Sequence, residues 1–304
     1  MGKGKKILLI VCIIVFVCTS ILLIKYAVTE YNNKKLYDEL ARLASTSENA
    51  NDENAVPDYS ALYAKNSDFV GWINIPNTSI NYPVLQCDDN DYYQNNNFEK
   101  NKDAQGAIFM DYRNSPINLD ANTIIYGHNC YNTTMFSELT RFENLDFYKT
   151  TPVFEFNTME KTYKWKIYGV FIVNARPSED NDYVFNYIYP YMDGENFEGY
   201  IEEINKRRLY VTDVDINDDD KILVLSTCIR TLDTYKNGIR TYKADGRIVV
   251  VARAVRDGES AEVDVEKAHN NKNVKYPQIY YDNKNIENPY KNDKKWNPKE
   301  VAQQ

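Results

Sequence analysis

Histidine is nearly absent from this chain: its 304 residues include only two, His128 and His269. Chemistry that needs an imidazole therefore has two candidates, and no HExxH pair exists to build a zinc-protease site. Cysteine is scarce and odd in number, at Cys12, Cys18, Cys87, Cys130 and Cys228, with no CxxC spacing. That excludes a zinc ribbon and a dense disulfide framework. No basic stripe interrupts a chain of net charge -8, which argues against a nucleic-acid partner. Asp213, Asp215 and Asn217 have the spacing that opens a calcium loop. Asp218 stands where that loop needs Gly and Val224 where it needs Glu, so a solvated loop is expected. No metal and no other cofactor is expected.

Long apolar runs are absent too, with one exception. Ile7 to Ile24 is broken only by Thr19 and Ser20 and follows Lys3, Lys5 and Lys6. As a helix it would rise ~27 Å, close to the hydrocarbon thickness of a bilayer. Positive charge before the run predicts a cytoplasmic N-terminus and a single-pass protein with its remaining chain outside the cell membrane. The rival is a cleaved signal peptide, but the run is long for one and no small-x-small cleavage site follows Ile24. Residues 1–28 are thus expected to form a short stub and anchor.

At 43% hydrophobic and 26% charged, the rest has the balance of a folded protein. Residues 30–50 read as a juxtamembrane helix with Leu36, Leu40 and Leu43 on one face. Ser45–Val56 reads as a polar linker, so residues 29–57 are helix and linker. A catalytic domain is expected over 58–256. Strand patterns fall at Phe69–Ile75, Tyr82–Leu85, Ala107–Met110, Thr123–Gly127, Val153–Asn157, Thr162–Val173, Lys221–Thr227 and Arg247–Val255. Alternation puts Tyr163, Trp165, Ile167, Phe171 and Val173 on one face. Helices are expected at Met135–Phe142 and at Glu195–Arg207, where Phe197, Tyr200, Ile201 and Ile204 share a face. Many strands with few helices predict a mainly β fold, a closed or nearly closed barrel with peripheral helices. Residues 257–304 are polar and read as a mobile tail or a lightly packed extension.

Cys228 ends the apolar strand Ile222–Thr227, where a thiol can meet solvent and substrate. For a cysteine taken alone, a small buried hydrophobe is the commoner outcome. His128 follows the strand Thr123–Tyr126 and Gly127, and Arg247 opens the strand Ile248–Val251. Three reactive types therefore occupy strand ends. A cationic neighbour raises the thiolate population, an imidazole can protonate a departing amine, and a guanidinium can hold an oxyanion. Local sequence leaves open whether these strands are neighbours.

At these residues the chain resembles the sortases. Leu225-Ser226-Thr227-Cys228 is similar to their TLSTC signature, with Val224 in place of the leading Thr. Tyr126-Gly127-His128-Asn129 is similar to their catalytic-His segment, and Arg247-Ile-Val-Val-Val-Ala to the strand opened by their catalytic Arg. Phe69–Ile73, Asn90–Tyr93 and Ala107–Arg113 resemble class B, as does the helix expected near 195–207. The resemblance covers roughly 58–255 and implies a closed eight-stranded barrel. It implies His128, Cys228 and Arg247 as catalytic residues, with Asn90, Arg113, Ser226 and Thr227 at the substrate groove. Plain structural roles stay open for these: a turn at Asn90, an ion pair at Arg113, strand packing at Ser226. The 19-residue step from Cys228 to Arg247 is longer than class B leads one to expect, so Arg230, Arg240 and Arg253 are rivals, Arg240 foremost. Cys87 and Cys130 are expected as free thiols.

The implied activity is transpeptidation. Cys228 would cleave a C-terminal sorting signal of a secreted protein and pass the acyl group to an amine of a cell-wall precursor or a pilin. The anchor would hold enzyme and substrates at one membrane face. Two other readings stay in view: a cysteine endopeptidase that only hydrolyses, and an inactive surface-binding barrel.

Overall fold

The computed structural model describes residues 2–46 and 57–298. Most of the expected linker and the last residues of the C-terminal extension lie outside the described residues.

The N-terminal helix α1 (Lys3–Thr46) is one unbroken element of 44 residues. Its first part exposes a full circumference of apolar side chains, among them Ile7, Phe16 and Leu22 at 63%, 72% and 66%. Such a surface needs an apolar surrounding. Its second part is the expected juxtamembrane helix, fused to the first without a break. The buried stripe there is Asn33, Tyr37, Leu40 and Ala44, at the spacing of one helix face. Leu36 and Leu43 flank that stripe half-buried. Tyr37 packs edge-on against Tyr82, and Asn33 donates to Asp103 at 2.6 Å, so α1 is docked on the domain.

After α2 (Ser60–Lys65) come twelve strands among the described residues: β1 (Phe69–Asn74), β2 (Asn81–Leu85), β3 (Ile108–Met110), β4 (Asn122–Tyr126), β5 (Val153–Thr158), β6 (Lys164–Asn174), β7 (Tyr210–Val211), β8 (Ile222–Cys228), β9 (Thr234–Lys236), β10 (Ile239–Tyr242), β11 (Gly246–Ala254) and β12 (His269–Asn270). The helices among them are α3 (Leu145–Thr150), α4 (Gly194–Arg207) and α5 (Gln278–Lys284). Eight strands close into a barrel in the order β1-β2-β3-β4-β8-β11-β6-β5, as expected. Closure leaves no unpaired barrel edge.

The barrel interior holds Trp165, Ile167, Val170, Leu223, Leu225, Ile248 and Val250. A second core lies outside the same strands, where Phe197, Tyr200 and Ile204 of α4 cover Ile124, Phe171, Val224, Val249 and Val251. Both faces of β8 and β11 are covered, which is why these strands read as continuous apolar runs.

Three expectations change. Trp165, Ile167, Phe171 and Val173 do not share a face: the first two point into the barrel and the last two toward α4. Opposite β11, Val251 pairs with Gly169 and Ala252 with Ile167, so Tyr168 is an extra residue. That bulge reverses the alternation. The helix expected at Met135–Phe142 is a 3-10 helix over Ser137–Glu143. Met135 has φ 54, outside the helical region, and Phe136 N donates back to His128 O, so a helix cannot start before Ser137.

The third concerns the C-terminal extension, whose described residues are fastened to the domain. Glu259 binds Arg253 and Lys166, β12 pairs with β7, and Ile279 and Tyr281 are buried. Trp296 sits against Phe185, Tyr189 and Tyr200, with ring centroids 5.7 to 6.1 Å apart. Polar composition hid this because the packing uses a few spaced aromatics. Trp296→Ala should destabilise the domain by about 2 kcal/mol, lowering Tm by about 5 °C. An unchanged thermal unfolding curve would contradict that.

Candidate active site

Every residue of β8 is buried except its last, Cys228. On one side β8 pairs antiparallel with β11, and the residue opposite Cys228 is Arg247. On the other side β4 runs parallel to β8, with Tyr126 opposite Ser226. The pairing continues past the end of β4. Gly127 N donates to Ser226 O at 3.3 Å, Thr227 Oγ1 donates to Gly127 O at 2.7 Å, and Asn129 Nδ2 donates to Cys228 O at 2.7 Å. His128 lies between two residues tied to Thr227 and Cys228, so it comes alongside Cys228. Three neighbouring segments thus bring residues 128, 228 and 247 to one rim of the barrel.

Gly127 makes this close passage feasible. A Cβ there would meet Ile108 Cδ1 at 2.4 Å and Phe136 Cγ at 2.8 Å. His128 is half-buried, and its Nε2 lies 2.8 Å from Gln94 O. A carbonyl only accepts, so Nε2 carries the proton and Nδ1 is the basic nitrogen of the neutral ring.

Arg247 donates to Asp245 at 2.5 Å and to Gly246 O at 3.0 Å. Burial works against its charge. Cys228, Tyr187 and Asp245 outweigh that and raise its pKa, so the cation is secure. Two of the rival arginines are engaged elsewhere, and the third, Arg230, leans on the loop after His128, donating to Asn129 O at 3.4 Å. Arg253 is 1% exposed and locked to Asp215 and Glu259. Arg240 lies on β10 and pairs with Asp233 at 3.2 Å. Arg230 stacks on Tyr131, its guanidinium 4.1 Å from the ring centroid. The long step from Cys228 to Arg247 is explained by the β9–β10 hairpin, turned through Asn237 and Gly238 at positive φ.

The groove candidates have mixed fates. Ser226 and Thr227 are each 2% exposed. Ser226 Oγ lies 2.9 Å from Tyr187 Oη, and Thr227 donates to Gly127 O, so each has a partner within the fold. Alternation on β8 turns the two to opposite faces, Ser226 to the side of Tyr187 and the second core. Asn90 and Arg113 meet at Asp111. Asn90 Nδ2 donates to Asp111 at 3.0 Å, and Arg113 grips the same carboxylate with two bonds of 2.8 Å. Arg113 also donates to Ile188 O at 3.1 Å, while Tyr126 donates to Asp111 at 2.9 Å.

Burial would push the Asp111 carboxyl up, but Arg113 and Tyr126 together hold it below the usual range. A carboxylate with a lowered folded pKa contributes stability above its unfolded value of about 3.9, and loses it as pH falls. Asp111→Asn should therefore be less stable than the native chain at pH 7, with the gap closing below about pH 4. Chemical unfolding at several pH values tests this; a pH-independent gap would refute it.

Sequence reasoning missed Gln94, Asp111, Asn129, Tyr187 and Asp245. Asn129 and Asp245 stand within two residues of His128 and Arg247, where a polar side chain could have been suspected. Gln94 and Tyr187 reach the rim from distant loops and left no local signal. The acids of the candidate calcium loop are engaged by cations: Asp213 by Lys267, Asp215 by Arg253 and Arg256. His269 is exposed and its ring contacts Lys267 O.

All five cysteines are unpaired, Cys87 and Cys130 included. Burial raises the thiol pKa of both Cys87 and Cys130, which lowers their reactivity. Cys228 is the exposed thiol of the folded domain.

A closed barrel presenting such a rim belongs to the cysteine transpeptidases. Residues 73–255 match the family model of the sortase domain. The Sortase B of Listeria monocytogenes is 35% identical over 194 residues, covering 64% of this chain and 72% of the relative. The Sortase B of Staphylococcus aureus is 30% identical over 252 residues, covering 83% and 95%. The Staphylococcus aureus sortase B–substrate complex superposes with TM-score 0.63 at 31% identity, over 75% of this chain and 98% of the other. Another Sortase B structure, complexed with triglycine, gives TM-score 0.64 at 29% identity, over 75% and 99%. The chain belongs to the sortase family and is a class B sortase.

Proposed function

We propose that the chain is a membrane-anchored transpeptidase that uses Cys228 as nucleophile, His128 as proton carrier and Arg247 as oxyanion partner. The observation that carries this is the register: Arg247 stands directly opposite Cys228, and the bonds from Thr227 to Gly127 and from Asn129 to Cys228 flank His128 on the other side.

The Cys228 thiolate attacks a backbone carbonyl in the sorting signal of a secreted protein. A C–S bond forms, and Arg247 faces the charge on the carbonyl oxygen. As the C–N bond breaks, His128, made an imidazolium by taking the Cys228 thiol proton at Nδ1, gives that proton to the leaving amine, and the C-terminal fragment departs. An incoming amine of a cell-wall precursor or pilin attacks the thioester, passes its proton to His128 and releases the thiolate. Asn90 and Arg113, joined through Asp111 and fastened to Ile188, fit one wall of the peptide groove. The apolar start of α1 spans the cell membrane in this reading, with the domain on the extracellular face.

The test is mass spectrometry of the protein after incubation with a library of sorting-signal peptides, with and without triglycine. A Cys228-linked acyl adduct that resolves into an amide with the added amine supports transfer. Hydrolysis alone, whatever the amine, would favour the endopeptidase reading. No adduct at all would favour a binding barrel.

A further inference from the structure

Glu30 stands six residues beyond Ile24, where the apolar run ends. Along a helix that separation is about 9 Å. Its carboxylate accepts from Gln105 Nε2 at 2.6 Å and from Asn132 Nδ2. Asn132 belongs to the loop that begins at His128 and is closed by the bond from Phe136 N to His128 O. The loop carrying His128 is therefore pinned to the first turns of α1 that follow the apolar run.

The surface beside that pin has a distinctive composition. Tyr131, next to Asn132, is 82% exposed. The guanidinium on its ring is Arg230, two residues past Cys228. Arg230 leads into the β9–β10 hairpin, whose Tyr235 and Ile239 are 53% and 70% exposed. Arg240 on β10 pairs across the hairpin with Tyr235. Between residues 230 and 243, Arg230, Lys236, Arg240 and Lys243 stand against a single acid, Asp233, in a chain of net charge -8. Exposed aromatic and aliphatic side chains among basic ones suit the headgroup layer of an anionic bilayer.

Resting on the reading of α1 as the anchor, we propose that the loop after His128 and the β9–β10 hairpin form a docking surface for the anionic outer face of the membrane that α1 spans. Docked in this way, the Cys228 rim works at headgroup level and not at the far end of a tether. Charge complementarity and the short helical rise from Ile24 to Glu30 select the bilayer as the occupant.

The experiment uses the full chain in vesicles of phosphatidylcholine and phosphatidylglycerol containing brominated lipid. Tryptophan is introduced by Tyr131→Trp, by Ile239→Trp and, as a control, by Met159→Trp. Met159 is 39% exposed in the turn between β5 and β6, at the barrel end away from Arg247. Quenching of the first two well beyond the third is expected, weakening when phosphatidylglycerol is omitted. Lys236→Ala with Lys243→Ala should lower the docked-to-undocked ratio roughly 30-fold. Equal quenching at all three positions, in protein that floats with the vesicles, would overturn the docking surface and leave the anchor standing. Failure to float would overturn the anchor and the docking surface together. Selective protection of Ile239→Trp by an anionic polymer, without lipid quenching, would assign the patch to another occupant and overturn the proposal.

Discussion

Cys228→Ala should abolish transpeptidation, lowering turnover by about ten-thousand-fold or more, with the fold intact. The substitution removes one sulfur from an exposed strand end, so it opens no cavity and breaks no core contact. The backbone of residue 228 still pairs with Arg247 and still accepts from Asn129. Stability should therefore change by less than about 1 kcal/mol. Peptide cleavage, amine transfer and Tm measured on the same preparation separate lost chemistry from lost folding. Cys87→Ala and Cys130→Ala serve as controls, because burial makes those thiols poor nucleophiles. Full turnover by Cys228→Ala would remove the proposed mechanism.

Arg247→Ala is the second variant from which a large loss is expected, about a hundredfold to a thousandfold in kcat with a smaller change in KM. A donor aimed at charge that develops during reaction acts on the transition state more than on substrate binding. Arg247→Lys keeps the charge without the planar fork and should recover only part of the loss. Arg240→Ala should leave cleavage of a short soluble peptide within a few-fold of the native rate, since Arg240 pairs with Asp233 on the hairpin. Arg253→Ala should instead cost roughly 1–2 kcal/mol of stability, because it removes a buried guanidinium that ties down Glu259 and the solvent-exposed Asp215. If Arg240→Ala abolished turnover while Arg247→Ala did not, the roles assigned to these two arginines would be reversed.

Much of this was legible from residue order. The eight barrel strands fall within a residue or two of their expected bounds, because a strand covered on both faces shows itself as an apolar run. The helix at Gly194–Arg207 and the juxtamembrane helix were readable from their apolar spacing. What escaped was nonlocal. A bulge at Tyr168 is defined only by the partner strand, and it reverses which side chains face the barrel. The packing of Trp296 against the 185–200 region joins residues about a hundred positions apart, and no local pattern announces such a contact.

The sequence by itself determined the inventory: an apolar helix at the start, a β domain after it, and a cysteine, a histidine and several arginines at or near strand ends. Those are properties of short windows, where hydrophobic spacing and the scarcity of histidine suffice. Only the tertiary structure decided which arginine faces Cys228, that Ser226 meets Tyr187 while Thr227 bonds Gly127, and that Glu30 grips the loop after His128. Each depends on strand register or docking between distant segments, and a shift of one residue in pairing would have put a different side chain at the rim.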